Sequence, residues 1–164
     1  MTFSIYLDSS TISKRYIIEK GTDTTDFIFD ECEIENTKIY FSMWNIGEVL
    51  GVFDKYYNSK KISKEIFEET LRKFLVEIQK LNKLKTLKLI PLNSNVISKA
   101  IPLIFKYHIY QADAIQISSF EISKCEIFIS ADKRLVDIMK SINKMSFNIE
   151  TEENSIKNII SADN

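Results

Sequence analysis

The chain has 164 residues, 45% of them hydrophobic, enough for one substantial core and short of what several ordinary domains need. Its formal net charge of -1, from 22 Lys+Arg against 23 Asp+Glu, gives no global electrostatic reason to expect a nucleic-acid partner, so charge has to be read locally. Cys32 and Cys125 fit neither a zinc pattern nor a disulfide framework, the start MTFSIYLD lacks a signal-peptide pattern, and no apolar run approaches membrane-spanning length; a cytoplasmic protein with reduced thiols and no membrane partner is expected.

Along the chain, short apolar segments rich in β-branched residues alternate with longer helical patterns. FSIYL reads as a strand, with Asp8-Ser9-Ser10 behind it as a helix cap, and KIYFS as a second strand with Ser42 capping the next helix. In Ile62–Leu89, apolar residues at Ile66, Phe67, Leu71, Phe74, Leu75, Ile78, Leu81 and Leu84 recur at three- and four-residue spacing, which predicts a long amphipathic helix with a basic outer face. TLKLIPL is a third strand followed by the Asn93-Ser94 cap, EIFIS a fourth followed by Ser130 and Asp132, and MSFNI a last one. Strands that are apolar nearly throughout, alternating with helices, imply parallel strands covered on both faces. The expected fold class is therefore α/β, a three-layer α/β/α domain with a central parallel sheet of about five strands over residues 1–150. Residues 151–164 read as a polar C-terminal tail, loosely ordered or forming one short helix docked through Ile156, Ile159 and Ile160.

Charge is unevenly spread. Tyr16–Asp54 holds nine acids against two lysines, and Lys55–Lys88 holds ten bases against four acids. Solvated helix faces are the plain explanation, and a basic rim able to meet an RNA backbone beside an acidic cleft is the functional one.

Four acids stand where core packing least explains them. Asp8 and Asp132 each follow an apolar strand and precede a helix, with simple capping as the alternative role. Asp113 opens a largely apolar helical pattern in YQADAIQIS, where capping again competes. Glu48 lies inside the apolar helix MWNIGEVLGVF, where an unpaired carboxylate is expensive and needs a partner or a proton. Gly47 and Gly51 lie on either side of Glu48 at four-residue spacing, a pattern that suggests a seam along which another backbone packs closely.

In a parallel α/β sheet the carboxyl ends of the strands share one edge, and ligands bind there at the topological switch point. Two carboxylates ~4 Å apart repel by about 4 kcal/mol at an effective dielectric near 20, which a divalent cation relieves. All-oxygen ligation without His or Cys suits Mg²⁺ or Mn²⁺, and such an ion supports phosphodiester hydrolysis.

The segments YLDSSTISKRY, SMWNIGEVL, YHIYQADAIQIS and IFISADKRL resemble the four successive motifs of the PIN-domain family, in the order and separation of the VapC-like toxins of VapBC toxin–antitoxin pairs. The resemblance spans nearly the whole chain and rests on the four motifs jointly, since each alone is short. It implies a PIN-like fold and Mg²⁺- or Mn²⁺-dependent endoribonuclease activity, with Asp8, Glu48, Asp113 and Asp132 as the acidic metal-site and catalytic residues. It also implies an RNA substrate, a VapB-like antitoxin and a homodimer. Ser130 is then the hydroxyl residue preceding the last acid, Ser9 follows the first, and Lys14 and Arg15 match basic positions that either touch phosphate or form a solvated helix face.

Asn45-Ile46-Gly47 before Glu48 departs from the small aliphatic or serine residues more usual in the family, and the long basic region is rich in lysine with little arginine. His108 is the single histidine and is expected to be structural, as are both cysteines. A receiver domain fits poorly, because Ser9 follows Asp8 and TLKLIPLN ends without an acid; a haloacid-dehalogenase-like phosphatase fits poorly because Ser10 stands where its second aspartate belongs. The remaining alternative is a PIN fold retained as a non-catalytic protein- or RNA-binding module, against which the presence of all four acids argues.

Overall fold

A computed structural model describes residues 3–162; Met1, Thr2, Asp163 and Asn164, including the end of the expected tail, lie outside the described residues. Five strands, β1 (Phe3–Leu7), β2 (Thr37–Ser42), β3 (Leu87–Ile90), β4 (Ile127–Ser130) and β5 (Met145–Asn148), form one sheet in the order β3-β2-β1-β4-β5, with every neighbouring pair parallel. The helices are α1 (Ser9–Ile12), α2 (Thr22–Glu33), α3 (Met43–Asn58), α4 (Lys64–Leu84), α5 (Ser94–Tyr107), α6 (Gln111–Ser123), α7 (Lys133–Ser141) and α8 (Glu153–Ser161), with a 3-10 turn at Ser13–Arg15.

Alternation along the strands divides the core. Ile5, Leu7, Ile39, Phe41, Ile127 and Ile129 face α1–α4 and α8, packing on Ile12, Phe29, Phe53, Phe74, Leu81 and Ile156. Tyr6 and Phe128 face the other way, onto α5, α6 and α7, against Ala100, Ile117, Phe120, Leu135 and Met139. Tyr6 stacks on Phe128 at 5.8 Å between ring centres, and Phe120 meets both edge-on. The result is the expected three-layer α/β/α arrangement around a five-stranded parallel sheet. From β1 the chain winds outward to β2 and β3, then returns to the other side of β1 for β4 and β5, so the strand order reverses between β1 and β4. In open α/β sheets such a reversal is where ligands bind, outside the carboxyl ends of the strands. Among the described residues no helix is long and apolar enough to cross a membrane.

Three expectations need correction. The helix predicted across Ile62–Leu89 stops at Leu84: Lys85 adopts a left-handed conformation (φ 61°) and the Lys85 and Thr86 N–H groups close on Asn82 and Leu81 carbonyls, freeing the chain to enter β3. Gly47 and Gly51 form no packing seam, since both are exposed and no described atom lies within 4 Å of a Cβ built at either. Lys14 and Arg15 are not a solvated face. Lys14 is buried and binds Glu150 at 2.7 Å and Glu19 at 3.0 Å, contacts that outweigh the burial opposing its charge and hold its pKa above the usual value. Arg15 pairs with Glu77 of α4 and with Asp26 and Asp30 of α2, and Tyr16 donates to Glu77 at 2.5 Å. Lys80 of α4 likewise meets Glu33 of α2 at 2.7 Å. Lys80–Glu33 is thus a direct ion pair between the basic and acidic stretches, formed because the fold lays α2 and α4 against the same sheet face.

Gly51 sits inside α3 with open space around it, so Gly51→Ala is expected to stabilise the protein by about 0.5–1 kcal/mol through reduced backbone entropy of the unfolded chain. Urea unfolding checks this: the midpoint rises with an unchanged slope, and a fall would mean that the position is not free.

Candidate active site

β1 ends where Asp8 begins to cap α1. Its Oδ1 accepts the Thr11 backbone N–H at 2.9 Å, and the Ser10 hydroxyl lies 2.7 and 2.8 Å from its two carboxylate oxygens. From the neighbouring strand, Ser130 donates its hydroxyl to Asp8 Oδ2 at 2.5 Å, while the Asp8 N–H donates to the Ile129 carbonyl at 3.2 Å. Asp8 is only 3% exposed, and burial raises its pKa above the ordinary carboxylate value despite the opposing hydrogen bonds from Ser130, Ser10 and Thr11. The same hydroxyls then reach the next acid. Ser10 Oγ accepts the Ala131 N–H and Ser130 Oγ accepts the Asp132 N–H, both at 2.9 Å.

Asp132 caps α7, its Oδ1 accepting the Arg134 and Leu135 N–H groups at 2.7 and 3.3 Å. It is exposed, and its Oδ2 accepts no hydrogen bond from the described residues. Asp113 lies in the first turn of α6 and is half-buried. Its pKa is raised first by burial, then by the negative charges of Asp132 and Glu48, and further by that of Asp8. The other three sequence-predicted acids thus each oppose ionisation of Asp113.

Glu48, half-buried on α3, has the partner that its apolar surroundings require. Its Oε2 accepts from Gln116 Nε2 at 2.8 Å, and Gln116 Oε1 accepts from the Tyr6 hydroxyl at 2.9 Å. Among the described residues, no group of three or more His, Cys, Asp or Glu side chains is gathered closely enough to hold a metal ion as they stand.

Of the accessory residues expected, Ser130 touches Asp8, whereas the hydroxyl on the helix side is Ser10 and not Ser9. The helical turn after Asp8 brings the residue two positions on back to the carboxylate, a geometry implicit in the Asp-Ser-Ser sequence. Lys14 and Arg15 are committed to the carboxylates described above. Gln116 and Tyr6 were not anticipated, although a lone amide within the apolar run AIQIS, one turn beyond Asp113, was a visible signal. His108 ends α5 in a left-handed conformation and its carbonyl receives Arg134. Cys125 is buried, its thiol pushed up to about 12 by burial.

No family model matches the chain, and no curated protein matches it in sequence. Solved structures match in fold. VapC20 from Mycobacterium tuberculosis, described as a sarcin–ricin loop cleaving toxin, is 8% identical with a TM-score of 0.60 over 82% of this chain and 94% of its own. A chain of VapBC2 from Rickettsia felis, bound to a DNA fragment from its promoter, is 13% identical with a TM-score of 0.57 over 89% and 98%. A chain of FitAcB from Neisseria gonorrhoeae is 16% identical with a TM-score of 0.58 over 88% and 97%. The chain shares the fold of these proteins, the PIN-like fold that its four motifs implied.

Because the folded-state pKa of Asp113 is raised, its ionised form costs stability at neutral pH, and this cost is relieved as pH falls through the raised value. Asp113→Asn is expected to raise Tm in EDTA at neutral pH, by about 2–4 °C for each kcal/mol relieved, with the gain vanishing toward the ordinary carboxylate range. Calorimetry across pH checks this; destabilisation at neutral pH would mean that the charge is held favourably.

Proposed function

We propose that this protein is a divalent-metal-dependent endoribonuclease that hydrolyses RNA phosphodiester bonds, acting in the cytoplasm as the toxin of a type II toxin–antitoxin pair. The observation that carries this reading is that Asp113, in the first turn of α6, feels the negative charges of Asp132, Glu48 and Asp8, on a sheet whose strand order reverses between β1 and β4. A protein gains nothing in stability from such mutual repulsion, and a cation relieves it.

The donor set fits Mg²⁺ or Mn²⁺. The site offers carboxylate and hydroxyl oxygens and neither a His nor a Cys, and hard ions of this kind are commonly held by one or two carboxylates together with water and substrate phosphate. Asp8, Asp113 and Asp132 would hold or orient the ion, and Glu48 would join them or position the attacking water. When bound, such an ion lowers the pKa of water and stabilises charge on a phosphoryl oxygen. The chain's own part is preorganisation. Ser10, Thr11 and Ser130 fix Asp8 between two strands, and the α7 N-terminus fixes Asp132 through one oxygen and leaves the other uncommitted.

The solved structures lend support at one remove. One relative in fold is described as cleaving the sarcin–ricin loop, and another is VapBC2, so a VapB-like antitoxin belongs to the proposal; the homodimer rests on the motif resemblance alone. A second reading, a non-catalytic PIN-fold module binding protein or RNA, is favoured by one fact: no three acids are gathered closely enough to hold an ion as they stand.

Labelled single-stranded RNAs incubated with wild-type or Asp8→Asn protein in Mn²⁺, Mg²⁺ or EDTA separate the two. Metal-dependent cleavage that disappears in Asp8→Asn is expected, together with a Mn²⁺-induced rise in Tm. Glu48→Gln is expected to lower kcat far more than RNA affinity. Neither cleavage nor a metal-induced shift in the wild type would leave the binding module as the better reading.

A further inference from the structure

We propose that Gln116, held in place by Tyr6, is a positioning residue that fixes the Glu48 carboxylate relative to Asp113. This inference rests on the hydrolytic reading above and extends it to two side chains outside the four acids.

Gln116 is 3% exposed and Tyr6 is fully buried, yet both place polar atoms in the α5–α7 side of the core. Packing alone does not call for them. A buried amide is costly unless its donors and acceptor are used, and a leucine or methionine fills the same volume without that cost. Both ends of the Gln116 amide are used, and used directionally. An ionised carboxylate only accepts, so the amide nitrogen must face Glu48, and Oε1 then needs a donor, which the Tyr6 hydroxyl supplies. The Tyr6 hydroxyl thus holds the amide in the same orientation that the Glu48 carboxylate demands.

The position of Gln116 matters as much as its chemistry. It lies three residues beyond Asp113, one turn along α6, so a single rigid helix carries both the acid and the group that holds Glu48. Tyr6 lies two residues before Asp8 on β1, clamped between Phe120 of α6 and Phe128 of β4. The chain Tyr6–Gln116–Glu48 therefore ties the strand that ends in Asp8 to the helix that carries Asp113 and to the helix that carries Glu48. It commits Oε2 of Glu48 and leaves Oε1 without a hydrogen bond from the described residues, available to an ion or a water. Small misplacements of a reacting group are costly in rate, which is where such a tie has its effect.

The test compares Gln116→Met, Tyr6→Phe and the double variant, in wild-type and Glu48→Gln backgrounds, for RNA cleavage, for RNA affinity in EDTA and for metal-free Tm. Gln116→Met is expected to lower kcat at least about tenfold, with KM and RNA affinity within about twofold, and Tyr6→Phe to lower it less. Gln116→Met also leaves Glu48 without its amide partner and lowers metal-free Tm; the double variant stays as low in kcat as Gln116→Met, whatever its Tm. In the Glu48→Gln background, Gln116→Met has no further effect on kcat. Recovery of kcat with Tm in the double variant, or an undiminished loss in the Glu48→Gln background, would reduce Gln116 to a core residue and overturn the proposal. Wild-type cleavage with unaffected variants would overturn it alone. Absence of both cleavage and a Mn²⁺ response in the wild type would overturn the hydrolytic reading, and this inference with it.

Discussion

A carboxylate buried between the carboxyl ends of the two central strands sets the terms for the rest of this molecule. Asp8 follows β1, caps α1 and is bound to β4 through its own N–H and through Ser130, and the hydrogen bonds to its carboxylate offset the cost of removing the charge from water. Two of the hydroxyls that serve it also receive the backbone of Ala131 and Asp132. The entry into α7, and with it the location of Asp132, is thus fixed by the requirements of Asp8. Parallel strand pairing brings the two chain ends together, and the hydroxyls turn that proximity into a defined geometry.

The other two acids come from elements that reach the same edge by different routes. Ser42 caps α3 through its side chain, with Asn45 returning a bond to the Ser42 N–H, and this turn carries Glu48 to the edge of the sheet. α6 arrives packed on the aromatic group of Tyr6, Phe120 and Phe128 and brings Asp113 in its first turn. Like charges act on one another there, whereas three other groups of acids find basic partners. Glu19 and Glu150 surround Lys14, Asp26, Asp30 and Glu77 surround Arg15, and Glu33 meets Lys80. The four acids at the edge instead act against one another, since the charges of Asp132, Glu48 and Asp8 all oppose ionisation of Asp113.

The sequence by itself determined the layer architecture and the parallel sheet, because strands apolar on both faces and helices with one apolar stripe have few other ways to bury those surfaces. It also marked the four acids, since Asp8 and Asp132 follow strands as caps and Glu48 and Asp113 interrupt apolar runs, and local chemistry is enough to single out such positions. The range that periodicity gives the long helix runs into the strand read at TLKLIPL, because periodicity alone does not show the left-handed turn at Lys85 that separates them. The fate of Lys14 and Arg15, whose partners lie up to 136 residues away, was not legible. Only the tertiary structure decided that Ser10 and not Ser9 serves Asp8, that Gln116 holds Glu48, and that Lys80 of the basic stretch meets Glu33 of the acidic one. Periodicity and capping act over a few neighbouring residues and can be read from the order of the chain, whereas hydrogen bonds and ion pairs between distant segments exist only once the sheet has brought those segments side by side.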